Sequence, residues 1–241
     1  MNTANPSLHT PSIQWTTQEC QAFDLYLQAN GMPAAILMEQ AARSLSDFLI
    51  SATSTPTTSI ILFLCGPGNN GADGVAAARQ LLHHPHLKPV VLLPGGPGGS
   101  NSLLELQQNT FQKLGGEVHF DRSKGLHSLP EAPCLLVDGL FGVGLKRPIS
   151  GIYADVLEWA AEIKIPTVAV DCPSGLNCDD GTVSGSCLTA TWTQSFIGTK
   201  RGFHHNAGPS LCGQIQIADI GVRRELAEHW LRLRRTQKAQ A

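Results

Sequence analysis

The sequence predicts a doubly wound α/β fold built on a parallel sheet, and three observations carry that prediction. Four short apolar runs, at residues 60–64, 90–93, 134–137 and 168–170, each lead into a glycine or proline turn. Between them lie segments of helical character, at residues 75–82, 103–114 and 152–163, and strands alternating with helices indicate right-handed βαβ crossovers. The chain of 241 residues is 42% hydrophobic and 15% charged, enough apolar material for one large core and hence one domain.

The remaining elements follow in chain order. Residues 1–14 are polar with two prolines and read as a disordered tail. Thr16-Thr17-Gln18-Glu19 then offers a capping box, so a helix starts there; it runs to about residue 29, where Asn30-Gly31 supplies the stop. Pro33 suits the first turn of a second helix, whose apolar face is Ile36, Leu37, Met38, Ala41, Leu45, Phe48 and Leu49. A Thr/Ser/Pro-rich connector, residues 53–58, precedes the first strand. The Gly95-Gly96-Pro97-Gly98-Gly99 stretch reads as a local loop rather than a domain boundary. Residues 190–196 and 214–218 are shorter β-like runs that extend the sheet at one edge, and residues 223–241 form a basic helical tail.

Composition narrows the function. A formal net charge of -2 argues against nucleic-acid binding, which needs clustered Lys and Arg to neutralise phosphates, and favours a small ligand. The seven cysteines are odd in number, and Cys65, Cys134 and Cys172 sit in or beside apolar runs, as reduced thiols do in a reducing compartment. No Cys-x-x-Cys or His-Glu-x-x-His occurs, so zinc has no support, and His83-His84-Pro85-His86 reads as a polar connection. The first fifteen residues lack Arg, Lys and a long apolar stretch, and no run has membrane-spanning length. The expectation is a cytoplasmic protein, or one in an organelle matrix after removal of a transit peptide, without a membrane partner.

In an open parallel sheet, ligands bind at the carboxyl ends of the strands, where helix N-termini present free N–H groups. Three loops stand out by that rule. The first, Gly66-Pro67-Gly68-Asn69-Asn70-Gly71-Ala72-Asp73-Gly74, contains Gly-x-Gly-x-x-Gly. The acidic residue that a dinucleotide fingerprint places about 20 positions on, to bind the ribose, is absent, because the next strand ends Leu92-Leu93-Pro94-Gly95-Gly96. There is no Gly-Lys-Ser/Thr for a P-loop either. The second loop opens at Asp138-Gly139 and the third at Asp171-Cys172-Pro173-Ser174, so two apolar runs end in Asp. Each Asp alone could be a turn former. Two of them facing a glycine loop point to a site, where neighbouring carboxylates require a compensating cation or proton. Asn70, Asp138 and Ser174 carry oxygen donors that suit a hard cation.

Four blocks in order, Leu37-Met38-Glu39-Gln40-Ala41-Ala42, residues 68–74, residues 137–144 and residues 170–177, followed by Gly198-Thr199-Lys200-Arg201-Gly202 and Ile217-Ala218-Asp219-Ile220-Gly221, resemble the YjeF N-terminal domain family, the NAD(P)H-hydrate epimerases. The resemblance covers residues 15–222. It implies a Rossmann-like three-layer α/β/α sandwich with a mostly parallel sheet, and interconversion of the R and S epimers of hydrated NADH and NADPH, a nicotinamide-nucleotide repair reaction. It implies a potassium ion on Asn70, Asp138 and Ser174. Substrate contacts carry over to Asn69, Asn70, Gly71, Ala72 and Asp73, to Gly142, Val143, Gly144, Leu145, Lys146, Arg147 and Pro148, and to Asp171. It further implies a homodimer and, since the chain ends too early to contain one, a separate NAD(P)H-hydrate dehydratase as functional partner.

Asp171 is the expected catalytic acid/base, protonating the departing hydroxyl and taking a proton back as water returns to the other face, while the ring nitrogen stabilises the cation between. Lys146 and Lys200 are candidates for phosphate or proton handling, although a lysine is ordinarily a solvated surface residue. Three positions depart from the family pattern: Gln40 for Asn, Ala72 for Gly, and Thr191 for an Asp in the strand before Lys200. Ala72 requires negative φ and so tightens its loop, and Thr191 removes a potential polar contact. The alternatives are a non-catalytic nucleotide-binding scaffold of the same fold, which degenerate loops would favour, and a nicotinamide-dependent dehydrogenase, against which the missing ribose carboxylate counts.

Overall fold

A computed structural model describes residues 13–53, 59–98, 101–120, 132–145 and 147–240. Helix α1, Thr17–Ala29, opens on the capping box, with Thr16 Oγ1 accepting from Glu19 N at 3.3 Å and Glu19 Oε2 accepting from Thr16 N at 2.9 Å. Helix α2, Ala34–Ala52, has Pro33 as its cap, one position before the first turn. There follow β1 Ser59–Cys65, α3 Asn69–Leu81, β2 Leu87–Leu92, α4 Ser102–Lys113, β3 Glu117–His119, β4 Leu135–Gly139, α5 Ile152–Ile163, β5 Thr167–Val170 and β6 Trp192–Phe196. A 3-10 turn at Arg201–His204, the short α6 Gly208–Leu211, β7 Gln214–Ala218 and α7 Arg224–Gln240 complete the chain.

The seven strands form one sheet in the order β3-β2-β1-β4-β5-β6-β7, and every pairing is parallel. Alternation along β1 divides the core in two, as a pleated strand requires. Ile61, Phe63 and Cys65 pack with Leu45, Leu49, Val75 and Phe111 of α2, α3 and α4. Ile60, Leu62 and Leu64 pack on the opposite face with Val156, Leu157 and Ala160 of α5. The result is the three-layer sandwich that the sequence predicts. A third cluster joins Trp15, Phe23 and Leu27 to Ala227 and Leu231, which fastens α7 onto α1.

Strand order reverses between β1 and β4: β1 leads outward to β2, whereas β4 begins the run to β7. In doubly wound sheets a crevice opens at such a point, outside the carboxyl ends of the strands. Register sets Leu64 beside Asp138 and Asp138 beside Ala169, so the first expected carboxylate lies at the end of β4, next to the switch.

The structure corrects several local expectations. Helix α3 begins at Asn69 rather than near residue 75, so most of the glycine stretch is helix and only Gly66-Pro67-Gly68 is loop. Gly71 weakens the helical signal, yet a Cβ there would stand 2.0 Å from Gly66 O, so close packing selects the glycine. Strand β3 lies at the sheet edge and carries Glu117-Val118-His119, too short and polar to register as an apolar run. Cys134 is exposed, just outside β4. Ile13 and Gln14, expected in the tail, are held: Ile13 packs on the α1–α7 cluster and Gln14 O accepts from Arg235 Nη2 at 2.7 Å. Residues 1–12, most of the 53–58 connector, and Gly99 of the Gly95–Gly99 stretch lie outside the described residues.

Candidate active site

The buried floor of the site is a polar knot at the ends of β4 and β5. Asp138 is fully buried; its Oδ2 accepts from Ser174 N at 2.8 Å, and its Oδ1 accepts from the Ser174 hydroxyl at 2.5 Å and from Leu140 N at 3.3 Å. Ser174 Oγ also accepts from Phe141 N at 2.9 Å and lies 3.1 Å from Phe141 O. Burial pushes the Asp138 carboxyl up to about 6, against the pull of these hydrogen bonds. Asn70 belongs to the same neighbourhood, because a Cβ on Gly142 would stand 2.7 Å from Asn70 Oδ1. The Asn70 Nδ2 atom is buried without a hydrogen-bond partner among the described residues.

Asp171 follows the last residue of β5. Its φ is +63°, in the left-handed region, and the backbone reverses across it with Cys172 N donating to Val170 O at 2.7 Å. The neighbouring strand ends the same way: Ile197 has φ +70°, and Gly198 N donates to Phe196 O at 2.8 Å. These are two γ-turns of the rare positive-φ kind, on adjacent strand tips, and such strained backbone persists where surrounding contacts over-determine it. Those contacts are visible. Lys200 Nζ lies 2.7 Å from Asp171 Oδ1 and donates to Phe196 O at 2.8 Å, Ser195 Oγ at 3.0 Å and Gly198 O at 3.2 Å. Phe196 N donates to Asp171 Oδ1 at 3.1 Å. One buried ammonium thus ties both turns together.

Lys200 is 1% exposed, so the solvated-surface expectation for it is wrong. Burial opposes its charge, but the adjacent Asp171 carboxylate outweighs that and raises its pKa. The chain is brought to this position by Trp15, whose N–H donates to Thr199 O at 2.8 Å and whose carbonyl accepts from Arg201 N at 2.9 Å. Among the described residues, Lys200 and Phe196 both contact the Asp171 carboxylate at Oδ1, and the residue lines the cleft above.

That cleft has a volume of about 790 Å³, within the size range of cofactor pockets. One wall is Pro67, Gly68, Asn69, Asn70 and Asp73; the other is Leu140, Phe141, Gly142, Val143, Gly144, Leu145 and Arg147. A smaller lobe of about 100 Å³ adjoins it, walled by Leu37, Met38, Ala41, Ile197 and Ile220. Asp24, Asn69, Asp73, Val143, Asp171 and Phe196 line both lobes and mark the junction. Three carboxyl groups therefore meet there, with Lys200 the one ammonium among the described residues that line either lobe. Burial first, then the negative charges of Asp171 and Asp24, pushes Asp73 well above the usual carboxylate range. Desolvation and Asp171 raise Asp24 to about 6.

Of the expected substrate contacts, Asn69, Asn70, Asp73, Gly142, Val143, Gly144, Leu145, Arg147 and Asp171 line the cleft. Gly71 and Ala72 are buried and Pro148 stands apart, so none of these three is a wall residue. Lys146 lies outside the described residues. Thr191, at the opposite end of β6, accepts from Thr167 N at 3.1 Å, far along the strand from Asp171. Gln40 is exposed on α2 and packs near Gly221. Sequence reasoning missed Asp24. Its signal was the spacing of Cys20, Asp24 and Gln28, four apart on one stripe of α1, all three of which line the smaller lobe.

Residues 34–202 match the family described as YjeF-related protein N-terminus. The chain belongs to this family. Among curated members and relatives, the NAD(P)H-hydrate epimerase of Limosilactobacillus reuteri (strain ATCC 55730 / SD2112) is 34% identical over 209 residues, covering 86% of this chain and 95% of that protein. The NAD(P)H-hydrate epimerase of Bordetella bronchiseptica is 33% identical over 191 residues, 77% of this chain and 79% of the other. The bifunctional NAD(P)H-hydrate repair enzyme Nnr of Moorella thermoacetica is 36% identical over 202 residues, 81% of this chain but 38% of that enzyme. The crystal structure of yeast ynu0 (YNL200c) superposes with a TM-score of 0.74 over 85% of this chain and 87% of the other; at 23% identity it shows the fold. The YjeF-related match begins at α2 and ends in the 3-10 turn after Lys200, so it contains Asp138, Asp171, Ser174 and Lys200 but leaves α1, with Asp24, outside.

Proposed function

We propose that this protein is an NAD(P)H-hydrate epimerase, an isomerase that interconverts the R and S epimers of hydrated NADH and NADPH in nicotinamide-nucleotide repair. The observation that carries this reading is Asp171, held at a strained strand tip by the buried Lys200 and facing a cleft at the sheet's switch point. The named relatives support the same activity.

The cleft is polarised in the sense that the reaction requires. Gly68, Asn69 and the N-terminus of α3, with Arg147 on the facing wall, suit the substrate's phosphates. The junction, where Asp24, Asp73 and Asp171 gather, suits the ring, because departure of the hydroxyl leaves positive charge on the ring nitrogen and its neighbouring carbon. Apolar Leu37, Met38, Val143 and Ile220 beside it exclude water from that charge and strengthen the carboxylates' effect. Asp171 acts as acid/base at the hydroxyl, and Lys200 orients its Oδ1.

A potassium ion fits the knot beneath. Asp138, Ser174 and Asn70 would hold it: the side chains offer oxygen donors, and the Asp138 carboxyl is buried without a cationic partner among the described residues. Clusters of three or more His, Cys, Asp or Glu side chains able to hold a metal are absent among the described residues. Held by Asp138, Ser174 and Asn70, such an ion would supply a fixed positive charge beside the cleft. A homodimer is the expected assembly, and an S-specific dehydratase the expected functional partner.

The test is to incubate the protein with purified R-epimer and a dehydratase acting only on the S form, in potassium buffer, and to follow the return of nicotinamide absorbance. Accelerated return is expected. A rate equal to spontaneous epimerisation would overturn the reading in favour of a non-catalytic scaffold, against which the complete set Asn70, Asp138, Asp171 and Ser174 counts.

A further inference from the structure

We propose that Asp73, near the start of α3, is a second catalytic acid–base group that works on the face of the nicotinamide ring opposite to Asp171. The inference rests on the epimerase reading and adds a residue to its chemistry.

Inversion needs the hydroxyl to leave from one face of the ring and water to enter from the other. A single carboxyl could serve both faces only by swinging around the ring. Asp171 cannot swing: its backbone is locked in a γ-turn, and its Oδ1 is gripped by Lys200 Nζ at 2.7 Å and Phe196 N at 3.1 Å. A second group must therefore serve the other face. Asp73 shares both lobes of the cleft with Asp171 but reaches them from another element, in the second turn of α3. That turn is itself fixed, because a Cβ on Gly71 would meet Gly66 O at 2.0 Å and one on Gly74 would meet Cys65 Sγ at 3.0 Å.

The two carboxyls also differ in their surroundings. Asp171 lies against the Lys200 ammonium, with Nζ 2.7 Å from its Oδ1. Asp73 has no ion-pair partner among the described residues, and the charges that act on it, those of Asp171 and Asp24, are negative. Burial and those charges raise the Asp73 carboxyl well above the usual carboxylate range, which favours its protonated form. Two carboxyls in such contrasting surroundings are the kind of pair that acid/base catalysis uses. Asp24 is the less suitable donor because it lies at the exposed rim of α1.

The step balances as follows. Asp73 gives its proton to the hydroxyl oxygen; the carbon–oxygen bond breaks with its electron pair leaving on oxygen, and water departs as the ring nitrogen's lone pair forms a C=N⁺ bond. A water on the other face adds to that carbon while Asp171 accepts its proton, and the nitrogen recovers its pair. The enzyme is left with the proton on Asp171, ready to turn over the opposite epimer in reverse.

The experiment compares the wild-type protein, Asp73→Asn and Asp171→Asn, each with purified R and S epimers in ¹⁸O-labelled water, reading both epimerisation and label entry into the ring hydroxyl. Each variant should lose about 100-fold or more in epimerisation, the scale of a lost general acid or base. Each should still exchange the hydroxyl with retention in one epimer, and the favoured epimer should differ between the two variants. Asp73→Asn with wild-type epimerisation, or with exchange abolished in both epimers, overturns the role of Asp73 while leaving the activity standing. A wild-type protein that does not epimerise overturns the underlying reading instead. Thermal unfolding checks the fold of each variant, and Asp73→Ser replaces the amide if that does not fold.

Discussion

Asp138 and Asp171 were legible because each ends an apolar run, and an acidic residue at the carboxyl end of a buried strand is conspicuous in sequence. Lys200 was not, because its significance is tertiary. It lies 29 positions beyond Asp171, and the average behaviour of lysine points to the surface. Nor does the sequence reveal strain. Ile197 is β-branched and adopts φ +70°, a conformation that costs such a residue about 1–2 kcal/mol. Replacing it with glycine should accordingly leave the protein more stable than replacing it with alanine, by about 1 kcal/mol, which reverses the usual order of those two residues. Urea unfolding midpoints of the two variants measure this. A more stable alanine variant would show that the turn at Ile197 is not strained.

At the scale of elements, α1, α5, α7, β5 and β7 were read to within a residue or two, since capping residues and periodicity are local signals. Helix α3 was misread at its start, where packing of Gly71 against Gly66 overrides glycine's poor helix propensity. Helix α7 shows a different limit. Its charge marks it as a tail, yet Leu231 is fully buried, Trp230 stacks on Trp15 at 6.3 Å, and Arg235 pairs with Glu19 at 2.7 Å. Because Trp15 brackets Lys200 through its backbone, α7 supports the site from behind. Leu231→Ala should cost about 2–4 kcal/mol in denaturant unfolding and lower the epimerisation rate as well. An unchanged unfolding midpoint would mean that α7 packs only loosely on α1.

For the whole molecule, charge balance in the cleft ties stability to pH and to potassium. Asp138 is raised from 3.8 to about 6 by burial. A carboxyl that binds its proton more tightly when folded contributes stability that is complete below about pH 4 and lost as pH rises through about 6. A cation beside the ionised carboxylate would offset that loss. Potassium chloride, compared with choline chloride at equal ionic strength, should therefore raise the melting temperature more at about pH 7.5 than at about pH 5. Equal shifts at the two pH values, or none, would remove potassium from Asp138. The sequence by itself determined the α/β class, the two Asp-tipped strands and the glycine turn, because alternation, run length and turn chemistry are properties of neighbours along the chain. Only the tertiary structure decided that Asp24, Asp73, Asp171 and Lys200 share one junction, since they come from α1, α3, the end of β5 and the segment after β6, and parallel crossovers bring such distant segments together at one end of the sheet.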